Sequence, residues 1–148
     1  MPTVLIVDDH AAIRAAVRIL FESSSDLVVC GEAENGAEAI RKAHELQPDL
    51  VILDLSMPVM NGFEAARILR HRFPTVPLFL LTAHYMDATV EAAKEAGIQA
   101  VFSKDHDLGP LVLQAKAALT KNRTSRVNIS ATQSSINGRR SSDTPSAV

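Results

Sequence analysis

The sequence predicts an α/β fold, with five short parallel strands alternating with five helices in one domain over residues 1–119. Three observations carry this expectation. Apolar runs recur along the chain with almost no polar residue inside them, as strands buried on both faces require. The stretches between them place apolar residues at helical spacing. Turn and cap residues punctuate the junctions.

The elements follow in order. The first strand is "TVLIV" (3–7), followed by a helix whose face carries Ile13, Ala16, Val17 and Leu20. "DLVVC" (26–30) is the second strand, with "GEAEN" after it as a plain turn, and "ENGAEA" punctuates the entry to the next helix. "LVIL" (50–53) is the third strand, and "MNG" leads to a helix with Ala65, Ile68 and Leu69 on one face. "VPLFLL" (76–81) is the fourth, and the helix after it closes at "EAG", with Gly97 as its C-cap. "QAVFS" (99–103) is the fifth strand. Leu108, Leu111, Val112, Ala115 and Leu119 mark the last helix, with Pro110 in its first turn, where a missing N–H does little harm.

Composition bounds the rest. A chain of 148 residues with 47% hydrophobic content supports one globular domain that needs neither disulfide nor structural metal. The single cysteine, Cys30, sits inside an apolar run and reads as a small core residue, in keeping with a reducing compartment. "MPTVLIVDDH" has no cationic leader, and no stretch approaches the ~20 apolar residues of a membrane helix, so the expectation is a cytoplasmic protein without membrane contact. Residues 1–118 carry 10 Lys and Arg against 16 Asp and Glu, a net −6, whereas residues 119–148 carry 5 against 1, a net +4. Residues 120–148, rich in Ser, Thr and Asn without helical or strand period, read as a disordered polar, basic tail. The tail has no aromatic for base stacking, so nucleic-acid contact is not expected of this chain alone.

Parallel topology turns the ends of these strands into a site. Every strand-to-helix connection opens at the same edge, the carboxyl ends of the strands, where ligands bind. The sequence places Asp8 and Asp9, Asp54, Thr82 and Lys104 there, after strands one, three, four and five. One strand-terminal Asp is usually a cap, and Asp8 and Asp9 alone would be read as capping the helix that begins near Ala11. Three carboxylates with a hydroxyl and an ammonium are different. Carboxylates about 4 Å apart repel by roughly 4 kcal/mol per pair at an effective dielectric near 20. Such a cluster must protonate, separate or hold a cation, and hard oxygen ligands in a shallow wet pocket suit Mg²⁺, which also accepts phosphate oxygens. With a phosphoryl group neutralised there, Asp54 can act as the nucleophile that takes it.

"VLIVDDH", "DLVILDLSMPVMNG", "LFLLTA" and "AVFSKD" resemble, in order and spacing, the signature segments of the response-regulator receiver domain of two-component signalling, over residues 3 to about 119. "DDH" and "KD" look more like the NarL/FixJ-type branch than the OmpR-type branch. The resemblance implies a flavodoxin-like (βα)5 fold with strand order 2-1-3-4-5 and helices on both faces. It implies Asp54 as phosphoacceptor, Asp9 and Asp54 as direct Mg²⁺ ligands, Asp8 acting mainly through metal-bound water, and the Ser56 backbone carbonyl as a further ligand. Thr82 and Lys104 would hold the phosphoryl oxygens, and small Ala83 would leave the donor room to approach. The implied partners are a sensor histidine kinase or phosphotransfer protein and a downstream protein target, or a second copy in a homodimer. Such a chain is a phosphoacceptor switch that takes part in its own phosphotransfer and autodephosphorylation, rather than an enzyme. The face of the first helix bearing His10, Ala11, Arg14, Ala15 and Arg18, opposite its core stripe, would dock the kinase.

This sequence departs from the family pattern in four places. Val101 stands where an aromatic usually reports phosphorylation, and Phe102, one step along the strand, points to the opposite face. Asp105 follows the lysine where many members have a cis Pro. His84 and Tyr85 follow the switch threonine, at positions where phosphoryl lifetime is tuned. NarL/FixJ-type proteins normally continue into a helix-turn-helix domain, and none is expected within these 148 residues. The alternative function is therefore the receiver part of a DNA-binding transcriptional regulator. A third reading, an aspartyl-phosphate hydrolase, needs a second acid two residues beyond the nucleophile, and that residue is Ser56. His10, His44, His71 and His106 lack metal-ligand spacing and are expected to be solvated or capping groups. Met57 and Met60 are expected to pack the loop.

Overall fold

The computed structural model describes residues 1–24 and 26–122, and the expected tail beyond residue 122 lies outside the described residues. The chain runs β1 (Thr3–Val7), α1 (Ala11–Glu22), β2 (Val28–Ala33), α2 (Gly36–Leu46), β3 (Leu50–Leu53), α3 (Gly62–Arg72), β4 (Leu78–Thr82), α4 (Asp87–Ala96) and β5 (Ala100–Ser103). A last helix, α5, occupies residues 109–122 of the described chain. The five strands form one parallel sheet of order β2-β1-β3-β4-β5. This is the flavodoxin-like arrangement the sequence implied.

The sheet is buried on both faces, and successive residues of each strand divide between two cores. Leu5, Val7, Val51, Leu53, Leu78 and Leu80 face α2, α3 and α4, packing on Ala39, Ala43, Ala65, Ala66, Leu69 and Ala93. Val4, Ile6, Leu50, Ile52, Phe79 and Leu81 face α1 and α5, packing on Val17, Phe21, Leu111, Ala115 and Leu119. Alanines dominate the first core because three helices must approach one sheet face closely. Val101 packs on the first core and Phe102 on the second, the opposite faces expected of neighbours in a strand. Met57 and Met60 pack against the first core, as expected of loop-filling residues.

Caps set the helix ends. Asn35 and Asn61 each accept a hydrogen bond from the backbone N–H of the third helical residue, Glu38 and Glu64, both at 2.9 Å. Gly97 ends α4 with φ +89, the left-handed conformation expected of that glycine. Gln47 performs the same role after α2 with φ 47, and Pro48 directly after it stops the helix.

Three details differ from expectation. β2 does not stop at Cys30: its pairing with β1 skips that residue in a bulge and continues through Gly31, Glu32 and Ala33. The segment read as a plain turn is strand because Leu5, Ile6 and Val7 offer it a ladder, and because Glu32, on this edge strand, finds cations in Arg14 and Arg18. On α1, Ala16 is exposed and the buried positions are Val17 and Phe21, so the helix is rotated slightly from the expected face. The last helix passes Leu119, and Asn122 donates to the Thr75 carbonyl at 2.9 Å.

The loop between β3 and α3 is held tightly. The Gly62 N–H donates to the Leu55 carbonyl at 2.8 Å, and a Cβ at Gly62 would lie 2.2 Å from the backbone oxygen of Asp54. The Met60 N–H donates to the Pro58 carbonyl at 2.7 Å around Val59, whose φ is 69. That is a tight turn with positive φ at a β-branched residue, a strained form. Val59 is 82% exposed and recovers little by packing. Two substitutions in this loop should therefore act with opposite sign. Gly62→Ala should destabilise by about 1–3 kcal/mol through overpacking against backbone. Val59→Gly should stabilise by about 1 kcal/mol through strain release, net of glycine's entropy. Denaturant melts of the two variants check both; a neutral Gly62→Ala would show that the loop yields freely.

Candidate functional site

The carboxyl edge of the sheet assembles the site through the backbone ladder itself. Bonding continues one residue past three strands: Asp8 N–H donates to the Ala33 carbonyl (3.0 Å), Asp54 N–H to Val7 (2.8 Å) and Lys104 N–H to Thr82 (2.9 Å). Each of these side chains is thus carried by a residue that still belongs mechanically to the sheet. Asp8 and Asp54 are 2% and 4% exposed, and Thr82 is fully buried.

Lys104 joins the two acids. Its Nζ lies 2.6 Å from Asp8 Oδ2 and 3.3 Å from Asp54 Oδ1, with the lysine side chain itself largely buried. Burial, and then the neighbouring Asp8 charge, push the Asp54 carboxyl above its ordinary value, against the pull of Lys104 and the Leu55 N–H. Burial by itself would lower the Lys104 ammonium, but Asp8 and Asp54 outweigh it and hold the group above its usual value.

Asp8 and Asp9 do not cap α1. The N-cap position belongs to His10, which makes no side-chain cap bond, and Asp8 Oδ1 instead accepts the His10 backbone N–H at 2.9 Å. Arg14 Nη1 donates to the Asp8 carbonyl at 2.7 Å and fixes the turn. His10 itself departs from expectation. Its Nδ1 lies 3.2 Å from Asp8 Oδ1 and 3.0 Å from Asp9 Oδ1, so it is neither simply solvated nor capping. Asp8, Asp9, His10 and Asp54 each offer a ligand atom, all within 4.8 Å of one another. The histidine directly follows Asp9, and its ring turns back onto both acids at the start of α1.

The other expected residues lie around this cluster. The Thr82 hydroxyl accepts the His84 N–H at 3.0 Å, and Thr89 Oγ1 donates to the His84 carbonyl at 2.7 Å, tying the loop after β4 to the start of α4. Ser56 is exposed in the β3–α3 loop, two residues beyond Asp54. The Lys104–Asp105 peptide is trans, as are all described peptides. Tyr85 is half-exposed and lines a shallow pocket with Val101, Phe102, Ser103, His106 and Pro110. The expected docking face of α1 is narrower than anticipated: Arg14 and Arg18 turn to Glu32 of β2, at 3.1 and 3.0 Å, and only His10, Ala11 and Ala15 are exposed.

The donor set fits a hard divalent cation. Carboxylate oxygens from Asp8, Asp9 and Asp54 converge at ligand separation, and the Asp54 carboxyl is held above its ordinary value chiefly by burial and by repulsion from Asp8.

Residues 4–116 match the family described as response regulator receiver domain. The chain is 37% identical over 122 residues to the Bacillus subtilis transcriptional regulatory protein YdfI, covering 82% of this chain and 57% of that protein. It is 40% identical over 101 residues to the response regulator protein VraR of Staphylococcus aureus, covering 68% and 48%. A crystal structure of a LuxR-family two-component response regulator from Aurantimonas sp. SI85-9A1 superposes with a TM-score of 0.76 at 33% identity, covering 80% of this chain and 85% of that one. The chain spans about half the length of these curated relatives.

The raised Asp54 carboxyl makes a stability prediction with a definite sign. A folded-state value above the unfolded one means that ionised Asp54 costs stability, a cost present at neutral pH and absent once acid protonates the group. Asp54→Asn should therefore raise the melting temperature at pH 7 without divalent ions, by about 2–5 °C if the relieved cost is about 1 kcal/mol. The advantage should shrink as pH falls through the Asp54 titration. A variant less stable than the parent at pH 7 would show that the attraction to Lys104 outweighs burial.

Proposed function

The chain belongs to the response regulator receiver domain family, and on that footing we propose that Asp54 is its phosphoacceptor, supplied by a sensor histidine kinase or a phosphotransfer protein. Receiver domains accept phosphoryl groups from histidine kinases, and this chain is a receiver-type phospho-switch, a phosphoacceptor rather than a conventional enzyme. The observation that carries the assignment to Asp54 is its position: a nearly buried carboxylate at the end of a central strand, flanked by Asp8 and Lys104.

Asp54 attacks phosphorus through a carboxylate oxygen, the N–P bond of the phosphohistidine breaks, and its electron pair leaves with the imidazole. Asp9 and Asp54 would hold Mg²⁺ directly, Asp8 through water, and the Ser56 carbonyl would add a ligand. When bound, Mg²⁺ supplies charge neutralisation to the transferring phosphoryl oxygens. Lys104, already 3.3 Å from Asp54, and Thr82, on the adjacent strand, receive the remaining oxygens. Ala83 leaves space for the donor and for the water that later hydrolyses the acyl phosphate, so the domain takes part in its own dephosphorylation.

Output is proposed to pass through protein contacts, either to a downstream target or within a homodimer. With valine at position 101, the movable aromatic is Tyr85, in the loop that Thr82 and Thr89 hold. A cytoplasmic location belongs to the same proposal, and no described helix is long and apolar enough to cross a membrane. A second reading has its own support: YdfI is named a transcriptional regulatory protein and is longer than the matched region. In that reading the receiver controls a DNA-binding domain.

A small phosphodonor with Mg²⁺ should label wild-type protein at Asp54, and Asp54→Asn should abolish the label. Asp9→Ala should weaken Mg²⁺ binding at least about tenfold by removing a direct ligand. Peptide mass spectrometry that finds the label elsewhere, or unchanged in the variant, rejects the phosphoacceptor assignment.

A further inference from the structure

We propose that Arg14 is a positioning residue that holds the turn presenting Asp8 and Asp9, and that the bulge in β2 serves this role by aiming Glu32 at its guanidinium. The inference rests on the reading of Asp8, Asp9 and Asp54 as a Mg²⁺ site, and it names what keeps two of those acids in place.

The turn from β1 into α1 lacks the usual closure. His10 stands at the N-cap without a side-chain cap bond, and no acid occupies the first turn of the helix. Arg14, one turn further on, closes it from outside. Its Nη1 donates to the Asp8 carbonyl at 2.7 Å, its Nε donates to Glu32 Oε1 at 3.1 Å, and its Nη2 lies 3.8 Å from Glu34 Oε1. The side chain is only 13% exposed, so water competes poorly for these bonds. A planar guanidinium keeps its donors in one frame, so the Asp8 carbonyl is placed against β2 by a rigid group. The Asp8 carboxylate is meanwhile held by the His10 N–H and by Lys104.

Glu32 meets Arg14 because β2 is irregular. Val4 pairs with Val29, but Leu5 pairs with Gly31, Ile6 with Glu32 and Val7 with Ala33. Ile6 belongs to the core under α1 and Val7 to the opposite one, so Glu32 stands on the α1 side. In an unbroken ladder Glu32 would pair with Val7 and point toward α2, out of reach. The doubled position is Cys30 with Gly31, and both lie on the α2 side. Cys30 packs on that core, and a Cβ on Gly31 would come within 2.7 Å of Leu46 Cδ1. The bulge thus re-aims one side chain beside the site. Arg18 takes the second oxygen of Glu32 at 3.0 Å, and its other bond goes to Glu22.

Position and charge make opposite predictions for Arg14. Removing a cation near three carboxylates should tighten Mg²⁺ binding if only the field matters. Loosening the turn that carries two of those carboxylates should weaken it.

The test uses the full chain with Arg14→Gln, Arg14→Lys, Glu32→Gln, the double variant of Arg14→Gln with Glu32→Gln, and Arg18→Gln. Calorimetry with Mg²⁺, well below every melting temperature, should show affinity about tenfold weaker in Arg14→Gln. Arg14→Lys keeps the charge but offers one compact donor group, and should stay at least about threefold weaker than the parent. The double variant has the parent's net charge and should lie within about twofold of Arg14→Gln, because the two residues act as a unit. Arg18→Gln should change Mg²⁺ affinity less than about twofold, whatever it does to stability. Affinity unchanged or tighter in Arg14→Gln, full recovery in Arg14→Lys, or an equal loss in Arg18→Gln overturns the positioning role. In protein without divalent ions, the His10 N–H should exchange about tenfold faster in Arg14→Gln and in the milder Glu32→Gln than in the parent. Unchanged exchange overturns the hold on the turn. Faster exchange in the variants of a parent that binds no Mg²⁺ instead overturns the cation reading beneath the proposal, which keeps the two failures apart.

Discussion

Two carboxylates buried at one edge of the sheet, Asp8 and Asp54, impose the constraint on which the rest of this structure depends. Both are almost fully withdrawn from water, on adjacent strands β1 and β3, where unpaired charge is costly. Lys104 meets that cost from β5, two strands away from β3, reaching Asp8 at 2.6 Å and Asp54 at 3.3 Å. A lysine at this distance can bridge only if β4 and β5 stand in register beside β3, and the ladder bond from Lys104 N–H to Thr82 fixes that register. The charge arrangement and the sheet order are thus mutually dependent.

The same constraint explains the closeness of the surrounding loops. A buried acid must be positioned to within fractions of an ångström to be matched by one ammonium, so the residues beside it have little freedom. Gly62 gives up its side chain to let α3 begin directly against the Asp54 carbonyl. Gly36 does the same against the Met60 carbonyl, joining α2 to the loop that follows β3. Between them, Val59 holds a strained turn at the exposed surface. Strain in that position is affordable because two anchored ends, rather than the turn's own preference, set its path.

Where every position in a strand is buried, the sequence announces the strand. β1, β3 and β4 were legible for that reason, and their alternation between two cores follows from side-chain period alone. β2 was half legible. It lies at the sheet edge, so its second half can carry Gly31 and Glu32, and a strand without an apolar run looks like a turn. The missed signal was the pair of arginines at 14 and 18, spaced one helical turn apart and able to meet a single acid. The acidic cluster was legible because parallel topology sends every strand end to one edge. The contact of His10 was not, although it directly follows Asp9, because its backbone position does not say whether the ring turns to solvent or back onto the acids. The exposed face of α1 is narrower than expected for a related reason: a helical wheel assigns Arg14 to the outer face, whereas a long side chain can fold back over β2.

Lys104 also determines what the site must do to change state. In this structure it is the cation that serves Asp8 and Asp54, with Asp8 the nearer partner. On the proposed function, Mg²⁺ held by the same carboxylates would supply that charge, and Lys104 would be left free for phosphoryl oxygens. On that proposal, cation binding and the release of Lys104 would be one exchange rather than two events. Thr82 adds the second half of this argument. Its hydroxyl accepts the His84 N–H, so any turn of the hydroxyl toward a phosphoryl oxygen withdraws an acceptor from the loop that leads into α4. The loop's other tie runs from the Thr89 hydroxyl to the His84 carbonyl, so the two bonds that hold the loop meet at His84. With valine at 101 too short to follow Thr82 inward, the proposed phosphorylation of Asp54 would have to act through that loop.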